Sequence, residues 1–171
     1  MLNLTKPQML KKGDKVATVS LSWGGAGDAE ILWRYELGKR RLEEEFGLEV
    51  VEMPHTLKGS EYIYDHPEKR AEDLMSAFSD PTIKAVFSCI GGDESIRMLP
   101  YVDFEVIRNN PKIFMGYSDT TIAHFMCLKA NQGYEFMQGS GIIQGRLIGG
   151  CIEVLEMMKG TSDVFTLWCI G

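Results

Sequence analysis

Phe114-Met115-Gly116-Tyr117-Ser118-Asp119-Thr120-Thr121 is the stretch on which the fold of this chain turns. The apolar run Ile113-Phe114-Met115 reads as the end of a buried strand, and residues 120–128 read as an apolar helix. Ser118 therefore sits on a sharp strand-to-helix turn, two residues after Gly116. Such a turn lifts a hydroxyl out of the sheet and aims the first helix N–H groups at whatever the hydroxyl attacks. Ser118 is thus a candidate nucleophile. The pattern Gly-x-Ser-x-Gly is incomplete, because Thr120 stands in place of the second glycine. A plain helix cap is the competing reading, since serine is a good N-cap.

The same alternation of strand and helix recurs upstream. Residues 15–21 are β-branched and largely apolar, as a strand covered on both faces should be. The loop Ser22-Trp23-Gly24-Gly25-Ala26-Gly27-Asp28 follows. It is not Gly-x-Gly-x-x-Gly, so a mobile loop is favoured over a phosphate cradle. Residues 29–46 form an amphipathic helix with Ile31, Tyr35, Leu42 and Phe46 on one side, stopped by Gly47. A second strand spans 48–53, and 54–64 is a loop carrying His55. Asp65, as an acidic cap, then Pro67 and Glu68 open a helix whose apolar face is Ala71, Leu74, Met75 and Phe78. A third strand, 83–90, ends in Gly91-Gly92-Asp93. Paired glycines there allow a backbone turn that leaves N–H groups pointing into a crevice. A tight left-handed turn, capped by Asp93, into a helix at 94–99 is compatible with that. Pro100 ends this helix, 102–109 forms another, and 112–115 is the fourth strand.

This order implies an α/β fold: an open, mostly parallel sheet flanked by helices, Rossmann- or flavodoxin-like. Ligands of such sheets bind outside the carboxyl ends of the strands. The 24–27 loop, Gly91-Gly92 and Ser118 all lie at such ends and are expected to converge.

Bulk composition narrows the function. The 171 residues suffice for one domain with a sizeable core, and the formal net charge of −6 argues against non-specific nucleic-acid binding. No apolar run approaches the roughly 20 residues of a membrane span. Residues 1–14 lack the apolar core of a signal peptide, so a cytoplasmic location without membrane contact is expected. Cys89, Cys127, Cys151 and Cys169 are scattered and read as buried thiols; none has metal-ligand spacing, and no metal or cofactor is expected. His55 and His66 read as surface loop residues. His124, on the helix after Ser118, reads as facing the core or a neighbouring helix. After Ala130 the pattern changes: a turn at 131–133, a short segment 134–143, the turn Gly149-Gly150, a helix at 151–158 and a strand-like tail at 165–170. Residues 1–132 are expected to be one α/β domain and 133–171 the remnant of a second.

Several motifs occur in a familiar order: Cys89-Ile90-Gly91-Gly92, then Asn110-Pro111-Lys112 leading to Gly116-Tyr117-Ser118-Asp119, then Gly145-Arg146-Leu147-Ile148-Gly149-Gly150. Together they resemble the LD-carboxypeptidase family of serine peptidases, closest to its microcin C immunity branch. The resemblance implies a Ser–His–Glu triad with Ser118 as nucleophile. It implies an oxyanion hole from the N–H of Asp119 and of Gly92, with Gly91, Asp93 and Trp23 lining the substrate site. It implies hydrolysis of an amide in a small peptide or a peptidyl-nucleotide, and a homodimer. The family's Glu and His lie far along its second domain, and no residue here matches them. The expectation is a shortened, impaired hydrolase, or alternatively a non-catalytic peptide- or nucleotide-binding module.

Overall fold

The computed structural model describes residues 6–130. The expected features of 131–171, the second domain and the thiols of Cys151 and Cys169 included, lie outside the described residues.

Four short β-rich runs become parallel strands: β1 (Lys15–Val19), β2 (Glu49–Glu52), β3 (Ile83–Ser88) and β4 (Ile113–Met115). Their order in the sheet is β2-β1-β3-β4, every neighbour parallel. The helices between them are α1 (Leu32–Glu44), α2 (Ser60–Asp65), α3 (Pro67–Ser79), α4 (Phe104–Asn109) and α5 (Thr121–Ala130). The expected α/β architecture is present.

Side-chain alternation along the strands divides the core in two. Ala17, Val19 and Val86 face one way and pack with Leu74 and Phe78 of α3, Ile107 of α4, and Ile122 and Met126 of α5. Val16, Val50 and Ala85 face the other way, with Leu42 of α1 and Leu10 packed over them. Three helices thus cover one face among the described residues, whereas on the other α1 contributes Leu42 beside Leu10. No residue of α1 is fully buried, and Phe46, expected inward, is 60% exposed. The helix also starts later than expected, at Leu32, because residues 29–31 form turns after a separate 3-10 turn at 25–27.

Local corrections have local causes. The 54–64 loop contains α2, a helix too short to show a period, anchored by buried Ile63. The helix expected at 94–99 is 3-10 (Ser95–Tyr101), and it includes Pro100 rather than stopping before it. Pro100 has no N–H to donate, so its rung is missing, while Arg97 N to the Glu94 carbonyl (3.1 Å) and Val102 N to the Leu99 carbonyl (3.2 Å) hold the turn on either side. Neither Asp65 nor Asp93 caps a helix: His66 and Glu94 stand at those N-cap positions, without a side-chain capping bond. The glycine loop is packed against its neighbours. Gly24, Gly25 and Ala26 are buried. A methyl group at Gly27 would collide with the Leu57 carbonyl, so this loop packs backbone-to-backbone on the one after β2.

The chain runs from β1 outward to β2, then back across β1 to β3. This reversal separates the loops after β1 and β3 and opens a crevice between them at the carboxyl ends of the strands. The candidate residues are delivered there.

Candidate active site

The β4 strand ends at Met115, and Ser118 opens a 3-10 turn (Ser118–Thr120) that runs directly into α5. Ser118 has φ +56°, and it is the one non-glycine residue with positive φ among the described residues. A side chain in this left-handed region is strained, as it is on a nucleophile elbow. The turn is held by Thr120, whose Oγ1 donates to the Tyr117 carbonyl at 2.8 Å. Ser118 is exposed, and Tyr117 beside it is 82% exposed.

The paired glycines fit between this crest and the loop after β1. A methyl group at Gly91 would lie 3.2 Å from Ser118 Cβ and 3.5 Å from its Oγ. At Gly92 it would lie 2.6 Å from Ser22 Oγ and 3.1 Å from Trp23 Cβ. Neither glycine has positive φ, so the left-handed turn expected there is absent. Glycine is required by close approach on both sides rather than by backbone conformation. Gly91 is the one whose α-carbon faces Ser118, while Gly92 faces Ser22 and Trp23.

Next to Gly92 lies a cleft of about 390 Å³, lined by Ser22, Trp23, Ser60, Tyr64, Asp93 and Glu94. Trp23 (41% exposed) and Tyr64 (54%) are its large apolar surfaces. The Arg97 guanidinium lies 4.5 Å from the Tyr64 ring centre and pairs with Glu94 at 2.9 Å. The structure thus brings Trp23, Gly92 and Asp93 together around one cleft, with Gly91 leading from it to Ser118. Sequence reasoning missed Ser22, Tyr64, Arg70 and Ser95, although Ser22 and Ser95 both flank glycine-rich strand ends.

The Asp119 side chain is wholly buried. Its Oδ2 accepts from Ser22 Oγ at 2.5 Å, Ser95 N at 2.8 Å and Ser95 Oγ at 2.6 Å. Arg70, equally buried, donates to the carbonyl oxygens of Glu94 (2.9 Å), Tyr64 (3.2 Å) and Leu21 (3.4 Å). Burial, and after it nearby Arg97, pull the Arg70 guanidinium below its ordinary pKa, while Glu94 and Asp119 push it back up.

The chain has three histidines, and each is engaged elsewhere. His55 Nδ1 meets the buried carboxylate of Asp73 at 2.8 Å, and His66 Nδ1 meets the Tyr62 carbonyl at 2.9 Å. His124 is exposed rather than core-facing; its Nε2 meets the Gly116 carbonyl at 2.8 Å, and its ring stands edge-on to Phe114. Among the described residues no group of His, Cys, Asp and Glu side chains is placed to hold a metal ion, and no helix is long and apolar enough to cross a membrane.

Comparison with known proteins places this chain in a family. A model described as the LD-carboxypeptidase N-terminal domain matches residues 16–138. A Vibrio cholerae protein provisionally named a carboxypeptidase is 40% identical over 110 residues, 64% of this chain and 32% of that protein. A Bacillus subtilis protein provisionally named a murein peptide carboxypeptidase is 36% identical over 120 residues, 70% of this chain and 35% of that one. The crystal structure of an MccF-like protein from Streptococcus pneumoniae in complex with AMP superposes with a TM-score of 0.64 at 42% identity, covering 69% of this chain and 35% of that one. This chain spans about a third of the length of the curated relatives it matches.

Proposed function

This chain belongs to the LD-carboxypeptidase family, and from that premise we propose that it carries the nucleophile half of a serine hydrolase that cleaves an amide in a small peptide or peptidyl-nucleotide. Ser118 Oγ attacks the carbonyl carbon, the backbone N–H groups of Asp119 and Gly92 hold the oxyanion, and the amine departs with a proton. Water then hydrolyses the serine ester and returns the free hydroxyl. Trp23, Gly91 and Asp93 hold the substrate. The observation that carries this reading is the strained, exposed Ser118 packed against Gly91. The peptide substrate follows the family and its murein peptide member; the nucleotide alternative follows the MccF-like neighbour that holds AMP.

The base is a separate matter. The three histidines have other partners, and among the described residues no hydrogen bond reaches Ser118 Oγ. A serine without its base is a weak nucleophile near neutral pH. On this reading these 171 residues alone are an impaired hydrolase, and a second chain supplies the base. The same observation favours a second reading, a binding module that holds peptide or nucleotide without cleaving it. Homodimer formation and a cytoplasmic location belong to the proposal too; light scattering at twice the chain mass, and cell fractionation, check them.

A fluorophosphonate probe applied to the full chain separates the two readings. The hydrolase reading expects slow covalent modification that maps to Ser118 and is lost in Ser118→Ala. If the wild type reacts no faster than Ser118→Ala, the binding module stands, and titration with AMP or a short peptide tests it.

A further inference from the structure

Two buried charges, Asp119 and Arg70, lie beneath the crevice, and the reaction as proposed uses neither side chain. Burying a carboxylate and a guanidinium is costly unless both are well hydrogen-bonded. Neither belongs to an apolar core cluster, and neither is hydrogen-bonded to the other. Their partners are the segments that line the site. From the loop after β4, Asp119 holds Ser22 of the loop after β1 and both N and Oγ of Ser95 after β3. Ser95 Oγ is also 2.8 Å from the Asp119 carbonyl. From α3, Arg70 holds Leu21 after β1, Glu94 after β3 and Tyr64 at the end of α2. Arg70 Nε and Asp119 Oδ1 are buried with no hydrogen-bond partner among the described residues, so each charge acts through one end only.

We infer that Asp119 and Arg70 are positioning residues, a buried clamp of opposite charges that sets the Gly91-Gly92 peptide against Ser118. The inference rests on the reading of Ser118 and Gly92 as the reacting groups. Its physical basis is geometric. Ser22, held by Asp119, is the group a side chain at Gly92 would strike, so the carboxylate fixes the wall against which the glycine pair leans. Arg70 fixes the carbonyls on both sides of that wall with a planar fork, which a lysine point charge cannot reproduce. Oxyanion donors act only within tight distances, so a shift of this wall alters reactivity without altering Ser118.

The test uses the full chain labelled with 15N-glycine. Asp119→Asn, Ser22→Ala and Arg70→Lys are each expected to displace the Gly91 and Gly92 amide resonances by more than a linewidth and along one common direction. The amides of Gly13, Gly38 and Gly47 stay in place and report the intact fold. A role in stability alone would lower the melting temperature without that shared direction. Displacements confined to the glycine nearest each substitution, or none, would overturn the clamp. If Asp119→Asn and Arg70→Lys do not fold, Ser22→Ala, which removes one donor, decides alone by whether Gly91 moves together with Gly92. Probe modification of Ser118 is scored separately. Unmoved glycines with a reactive wild type sink the clamp and keep the nucleophile; moved glycines with an unreactive wild type do the reverse.

Discussion

Ser118 carries its strain in a single dihedral, φ +56°. An L side chain in this region costs of order 1–2 kcal/mol that glycine does not incur. Ser118→Gly is therefore expected to be more stable than Ser118→Ala by about 1 kcal/mol in urea unfolding, with both lacking probe reactivity. Gly92→Ala acts in the opposite sense. Its methyl would meet Ser22 Oγ at 2.6 Å and Trp23 N at 3.2 Å, and overpacking of this kind costs about 1–3 kcal/mol. Probe modification of Ser118 should fall with it. Cys89 gives a pH-dependent readout next to the same strand end. Burial pushes its thiol up to about 11, from an ordinary 9.0. The proton-bound form is favoured in the folded chain, so thiolate appears only as pH rises toward that value. At pH 8 iodoacetamide should modify Cys89 about 100-fold more slowly in the folded chain than in the unfolded chain. Equal rates would mean that the thiol is not shielded.

Elements differ in how much of the core they supply. On α3, Ala71, Leu74, Ala77 and Phe78 are all buried against the sheet, whereas α1 buries no residue fully. Phe78→Ala should cost about 3–5 kcal/mol by denaturant unfolding. Phe46→Ala, just beyond α1, should stay within about 0.5 kcal/mol. Both helices show an apolar period in the sequence, and period alone did not distinguish them. Their difference arises because the first face of the sheet receives α3, α4 and α5, while α1 lies on the other face. The strands were legible, since each is a short β-branched or apolar run bounded by turn residues. The helix α2 was not, because six residues show less than two full turns of period.

For the molecule as a whole, the arrangement of two cores leaves apolar surface on the α1 side near β4. Phe87 and Ile113 are half-buried on that face, and Met115 is 53% exposed. Parallel sheets are ordinarily covered on both faces. A Met115→Lys substitution should therefore shift light scattering toward the monomer if a second copy covers this face. Unchanged light scattering would place the contact of the proposed dimer elsewhere.

The sequence by itself determined the α/β class, the parallel alternation and the Ser118 turn. Those are carried by neighbouring residues: apolar period, β-branched runs, glycine and proline at boundaries. It also carried the family resemblance through short contiguous motifs. Only the tertiary structure decided the strand order β2-β1-β3-β4 and the reason for two adjacent glycines. It alone turned Arg70 and Asp119 from helix and turn residues into buried braces between distant loops. Those features depend on pairs separated by 24 to 97 residues, such as Ser95 with Asp119 and Ser22 with Asp119. No local period records such pairs, because they meet only when the crossovers pack and water leaves the space between them.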